Sequence, residues 1–288
     1  MKLPDPSFSP LPFGSPTHMA TQIRRGRTKS TGILLNLLSH QNQIIMINTN
    51  ATLEQLEMLK LNGMAQAYRG ALALAPHEQP SSHELLARLV EAEIQNRTGQ
   101  RTQMYLKLSK LRYDAVIEQV QCSPARNLSR DELLALSDCS FIQRSENILI
   151  TGATGCGKSY LACALGRQAC SLGYKVYYLG MNRFIERLIL ARLDGSYIKL
   201  LNQLEKVPLI ILDDFGLAPL DHNTKLALLQ LLEDRYGRRA TIITSQLPVK
   251  SWYQYLDEPT LADAIMDRLA GSAHRIELKG ESLRKKTQ

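Results

Sequence analysis

Aromatic residues are scarce in this chain, at 6% of 288 residues with one tryptophan, and they do not interleave with the basic residues. That excludes an extended base-stacking platform for single-stranded nucleic acid. Long apolar runs are also missing. No stretch approaches a membrane span, and the N-terminus lacks the apolar core of a signal peptide, so the expectation is a cytoplasmic protein with no membrane partner. The five cysteines (Cys122, Cys139, Cys156, Cys163 and Cys170) include no C-x-x-C pair and no zinc-ligand spacing, which points to a reduced chain without a disulfide framework. Acidic residues are outnumbered, 27 against 35 Lys and Arg, for a net charge of +8 and a pI near 9.2. This balance suits a polyanionic partner, although a solvated basic surface needs none.

At 288 residues the chain can hold one substantial α/β domain and a smaller one. Residues 1–46 stand apart. Pro4, Pro6, Pro10, Pro12 and Pro16 alternate with Ser, Phe and Gly, and a cluster Arg24-Arg25-Gly26-Arg27-Thr28-Lys29 follows. Such a stretch buries too little apolar surface to order itself. It reads as a basic arm for a nucleic-acid backbone or, preferably, as a solvated tail or a start assigned too early, with Met46 as the real beginning. Residues 47–115 then read as a small helical domain. Capping boxes mark helix starts at Thr52-Leu53-Glu54-Gln55, Ser81-Ser82-His83-Glu84 and, further on, Ser129-Arg130-Asp131-Glu132. Leu53, Leu56, Met64 and Tyr68 form one apolar stripe, and Leu85, Leu86, Leu89 and Ala92 another.

Residues 116–288 read as a parallel α/β domain. The apolar strand from Asn147 to Ile150 runs into Gly152-Ala153-Thr154-Gly155-Cys156-Gly157-Lys158-Ser159, a complete G-x-x-x-x-G-K-[ST] phosphate loop. Glycines let the backbone curl so that N–H groups point at phosphates, and the N-terminus of the next helix adds partial positive charge. The segment Gly152–Tyr160 is therefore expected to bind ATP, Lys158 to reach its β- and γ-phosphates, and Ser159 to ligate Mg2+. Cys156, near a lysine and a helix N-terminus, is expected to carry an acidified thiol whose alkylation blocks nucleotide binding.

The second acidic element follows at Pro208-Leu209-Ile210-Ile211-Leu212-Asp213-Asp214, an apolar run ending in paired carboxylates, as a buried central strand does where it meets a metal. Asp213 is expected to hold Mg2+ through water and Asp214 to polarise the attacking water. A strand that merely ends in an Asp-Asp-Phe-Gly turn is the other reading, and it loses force beside the phosphate loop.

Between these motifs Lys175 to Leu179 reads as a strand, and Asn182 to Leu200 as one or two helices broken at Asp194-Gly195. Arg183, Arg187 and Arg192 share a broad face there, suited to phosphate contacts or simply to solvent. A helix from Thr224 to Tyr236, closed by Gly237, leads to the strand Ala240-Thr241-Ile242-Ile243-Thr244-Ser245, whose end lies beside the acidic pair.

Four segments carry a specific resemblance: Ile210 to Gly216; Thr241 to Pro248 with Trp252; Ala264-Ile265-Met266-Asp267-Arg268-Leu269; and Gly280-Glu281-Ser282-Leu283-Arg284-Lys285. With Leu59-Lys60-Leu61-Asn62-Gly63-Met64 in the helical region, residues 50–286 resemble the IstB-like transposition helper ATPases, AAA+ proteins of insertion sequences related to the DnaC-type helicase loaders. The resemblance implies an AAA+ P-loop core with a parallel sheet flanked by helices, preceded by a small all-helical domain. It implies that Ser245 is the sensor at the end of the fourth strand. Arg268 would be the arginine finger inserted into a neighbouring subunit's nucleotide, and Arg284 the C-terminal sensor arginine. It further implies a homo-oligomer on DNA, duplex more than single-stranded, that recruits or activates a transposase with hydrolysis as its switch. A replicative helicase loader is the alternative, and a small-metabolite P-loop kinase a third reading that the basic balance and Arg268 disfavour.

Overall fold

The computed structural model describes residues 49–283; the basic cluster at 24–29 and Arg284 lie outside them. The chain divides into two compact units, Met1–Asn96 and Arg97–Gln288, and the division falls inside a helix.

In the first unit, α1 occupies residues 49–58 and α2 spans Asn62–Leu72. Thr52 sits within α1, because residues 49–51 are already helical, so it does not cap that helix. Helix α3 (Ser82–Ser109) does begin as expected: the Glu84 N–H donates to Ser81 Oγ at 3.3 Å. Of its apolar stripe, Leu86 faces solvent. Gly63 lets α2 approach α3 closely, since a Cβ there would lie 2.4 Å from the Ala92 carbonyl oxygen. The buried Glu93 carboxylate accepts the Gly63 and Met64 N–H groups at 2.8 and 3.2 Å, closing the start of α2 with negative charge.

The second unit is built on a parallel sheet. Among the described residues it has five strands: β1 (Asn147–Gly152), β2 (Val176–Gly180), β3 (Leu209–Phe215), β4 (Ala240–Ser245) and β5 (Ala273–Leu278), in the order β2-β3-β4-β1-β5. Alternate strand residues feed two cores, as the two-residue period requires. Ile148, Ile150, Leu209, Ile211 and Ile242 pack with α4 (Arg130–Ser137), α5 (Ser140–Gln143) and α6 (Lys158–Ser171). Leu149, Ile210, Leu212 and Ile243 pack on the other face with α7 (Met181–Leu193), α8 (Tyr197–Glu205), α9 (His222–Arg235), α10 (Trp252–Leu256) and α11 (Pro259–Ala270). Strands buried on both faces read as continuous apolar runs, which is why β1, β3 and β4 were legible.

The Ser129 capping box is present in full at the start of α4. The chain breaks between α7 and α8 at Asp194-Gly195, where Gly195 takes φ +75°. Two members of the arginine face on α7 have intramolecular partners. Arg187 donates to the Tyr177 hydroxyl, and Arg192 stacks 5.0 Å from the Tyr197 ring centre while donating to the Asn223 carbonyl at 2.9 Å.

Candidate nucleotide site

The C-terminal ends of β1, β3 and β4 converge on one cavity of about 400 Å³, which is where ligands bind in open parallel sheets. Strand β1 delivers the phosphate loop. Its curl places Gly152, Gly155 and Gly157 at φ +145°, +84° and +91°, a region L side chains avoid. Two of these glycines also admit close neighbours, a backbone carbonyl at one and a serine side chain at the other. A Cβ on Gly152 would meet the Leu278 carbonyl oxygen at 2.2 Å, and one on Gly155 would meet Ser282 Oγ at the same distance. The Leu283 N–H donates to the Gly155 carbonyl at 3.0 Å, so the segment after β5 lies against the loop. Lys158 opens α6, and its Nζ folds back to donate to the Ala153 carbonyl at 2.9 Å. Thr154 donates its hydroxyl to Gln246 Oε1 at 2.8 Å, and Tyr160 donates to Gln119 Oε1 at 2.9 Å.

Cys156 departs from expectation. Its side chain turns beneath Gly152 into the core and is 1% exposed, so the thiol is shielded from reagents. Burial also pushes the Cys139 and Cys170 thiols up, to about 12 and about 11, which keeps them unreactive.

The acidic pair comes from a bulge. Pairing between β3 and β4 slips by one residue between Leu212 and Phe215, and Asp214 takes a left-handed φ of +63°. This kink points the two carboxylates differently. Asp213 is fully buried and accepts from three hydroxyls: Ser159 Oγ at 2.8 Å, Thr244 Oγ1 and Tyr178 OH. Asp214 faces the cavity, and its N–H donates to Thr244 Oγ1 at 3.1 Å. Partial burial and the neighbouring Asp213 charge hold the Asp214 carboxyl above the usual carboxylate range, against the opposing pull of Arg112 and Lys158. Burial and the Asp213 carboxylate likewise raise the Tyr178 hydroxyl, keeping it a protonated donor.

A hydroxyl and a carboxylate held side by side, with a cradle of glycines and an ammonium opposite, form an all-oxygen donor set that fits Mg2+ together with a phosphate chain. The candidate residues Lys158, Ser159, Asp213 and Asp214 are thus brought together. Ser245 lies next to them in sequence but turns away: its hydroxyl donates to the Phe215 carbonyl at 2.6 Å and accepts the Leu247 N–H at 3.0 Å. From the same strand end, Thr244 reaches the acidic pair and Gln246 lines the cavity. Arg268 sits at the far end of β1, where its carbonyl accepts from Asn147 Nδ2 at 3.0 Å. Six strand residues separate it from the phosphate loop, on the order of 20 Å. Its guanidinium pairs with Glu233 at 2.7 Å and Asp267 at 3.0 Å. Sequence reasoning missed Arg112, Tyr113 and Tyr178 at this site, none of which belongs to a motif. Thr244 and Gln246 lie in the Thr241 to Pro248 segment that carries the resemblance, but Ser245 is the residue expected to act there.

Comparison with known proteins agrees with this geometry. Residues 54–288 match the family described as IstB-like ATP binding protein. The insertion sequence ATP-binding protein y4pL of Sinorhizobium fredii is 45% identical over 234 residues, covering 81% of this chain and 96% of that protein. The insertion sequence IS5376 ATP-binding protein of Geobacillus stearothermophilus is 33% identical over 231 residues, covering 80% and 92%. Among solved structures, DnaI superposes with a TM-score of 0.50 at 19% identity, covering 62% of this chain and 94% of that one, a likeness of fold. No helix among the described residues is long and apolar enough to cross a membrane. The phosphate loop, the buried acidic strand and the β2-β3-β4-β1-β5 sheet make an AAA+ P-loop core, and the chain belongs to the IstB-like ATP binding protein family.

Proposed function

We propose that this protein hydrolyses ATP and uses the bound nucleotide as a switch for assembly on duplex DNA, where it recruits or activates the transposase of an insertion sequence. The observation that carries the hydrolytic part is the Ser159 to Asp213 hydrogen bond of 2.8 Å, which unites the phosphate loop and the acidic strand in one cavity. Mg2+ held by these two residues would neutralise charge on the phosphates. Lys158 orients the phosphate chain through its ammonium. Asp214, facing the cavity from its kinked backbone, positions a water for attack and accepts its proton. Thr244, donating to Asp213 and accepting from the Asp214 N–H, keeps the two carboxylates at fixed spacing. Ser245 supports the same strand end by tying β4 to the Phe215 carbonyl.

The DNA and transposase parts rest on the family, on relatives named for insertion sequences, and on the net charge of +8. Sedimentation of the full chain on duplex and single-stranded DNA, with ATP, ADP or no nucleotide, tests them. The expected outcome is large assemblies on duplex DNA with ATP only, abolished by Lys158→Ala. A monomer that turns over ATP without any response to DNA would refute the reading.

A further inference from the structure

Arg112 belongs to no recognised motif, yet it lines the candidate nucleotide cavity. It lies three residues after the end of α3, past Lys110, which takes φ +58°. Its Nη1 lies 3.4 Å from Asp214 Oδ2 and 3.6 Å from Asp213 Oδ2, and its guanidinium is 5.4 Å from the Tyr113 ring centre. These are long contacts for charge-assisted hydrogen bonds, which run at about 2.7–2.9 Å. The side chain is 46% exposed, so the guanidinium can change partners, whereas Asp213 is immobilised by three hydroxyls. Arg112 and Lys158 line the same cavity.

We propose that Arg112 is a ligand of the terminal phosphate, held on the acidic pair until a divalent cation replaces it there. This rests on the reading of the cavity as an ATP and Mg2+ site. Two cations compete for the same carboxylates. A dication between Asp213 and Ser159 repels the guanidinium and removes its counter-charge. The anion nearest to hand is then the terminal phosphate of a triphosphate, which a planar fork of N–H donors binds in two-pronged fashion. A diphosphate lacks this third phosphate. Arg112 therefore distinguishes ATP from ADP from within its own subunit, a role separate from that of Arg268 at the opposite end of β1.

The test compares wild type with Arg112→Gln, Arg112→Lys and Lys158→Ala in the full chain, with thermal unfolding confirming that each folds. Calorimetric titration with the non-hydrolysable analogue AMPPCP and with ADP, both with Mg2+, is the first readout. Arg112→Gln should weaken AMPPCP about tenfold, as loss of a charged hydrogen bond does, and leave ADP within about twofold. Arg112→Lys should fall between. The second readout is Mn2+ binding without nucleotide, by electron paramagnetic resonance: Arg112→Gln should bind Mn2+ several-fold more tightly because the competing cation is gone. Equal loss of both nucleotides, no loss of either, or unchanged Mn2+ affinity would overturn the proposal while Lys158→Ala still abolished binding. Wild type that binds neither nucleotide, or Lys158→Ala that binds both normally, would overturn the ATP reading and this proposal with it.

Discussion

Asp214 combines two unfavourable features, a left-handed backbone on a non-glycine residue and a carboxylate beside the buried Asp213. Strain and like-charge repulsion in one residue are what the proposed chemical role of Asp214 would retain at a cost in stability. Asn is tolerated in left-handed backbone and removes the repulsion. Asp214→Asn should therefore raise the melting temperature and leave Mg-ATP affinity within a few-fold, while lowering kcat by a factor of about 10² or more, as loss of a general base does. Parallel measurement of Tm, Kd and kcat checks all three. A variant with full turnover would remove Asp214 from the reaction.

At the scale of elements, close approach and buried charge decide what can be changed. The α2–α3 contact tolerates only glycine at position 63, because any Cβ would press on the Ala92 carbonyl oxygen. Gly63→Ala should destabilise the helical unit by about 1–3 kcal/mol, read by thermal unfolding, with nucleotide affinity of the Arg97–Gln288 unit unchanged. That constraint gives a physical meaning to the glycine in the Leu59 to Met64 segment that the family resemblance singled out. Arg235 at the end of α9 is the converse case. It is 1% exposed and donates to the carbonyls of Leu204, Glu205, Val207 and Ala240 and to Thr241 Oγ1, joining the end of α8 to the start of β4. Burial lowers its pKa to about 9, yet these acceptors spread its charge over the carbonyl end of a helix, where a cation is favoured.

For the whole molecule the decisive question is whether one subunit completes another's site. Arg268 cannot serve its own cavity, since it lies at the opposite end of β1 and is paired with Glu233 and Asp267. An exchange of partners at an interface would free it for a neighbour's nucleotide, and a finger supplied in trans is worth roughly 10³ to 10⁵ in rate. On the reading of Arg268 as such a finger, subunits carrying Arg268→Ala keep the pocket and those carrying Lys158→Ala keep the finger. Mixing the two, each inactive alone, should restore part of the ATPase rate on DNA; a mixture as inactive as its components would mean that Arg268 acts only within the fold.

The phosphate loop, the acidic strand and the α/β alternation can all be read along the chain. These rest on contiguous residues whose chemistry is local: glycines at positive φ before a helix, Lys158 and Ser159 at its first positions, and Asp213 at the end of an apolar run. The remaining site residues depend on packing between distant segments. Arg112, Tyr178 and Gln246 become site residues only because the sheet order brings β2 and β4 to either side of β3 and the segment after α3 into the cavity. The same order sets Thr244 rather than Ser245 on Asp213, since one residue along a strand end changes which way a side chain points, and the bulge at Asp214 shifts that register by one more.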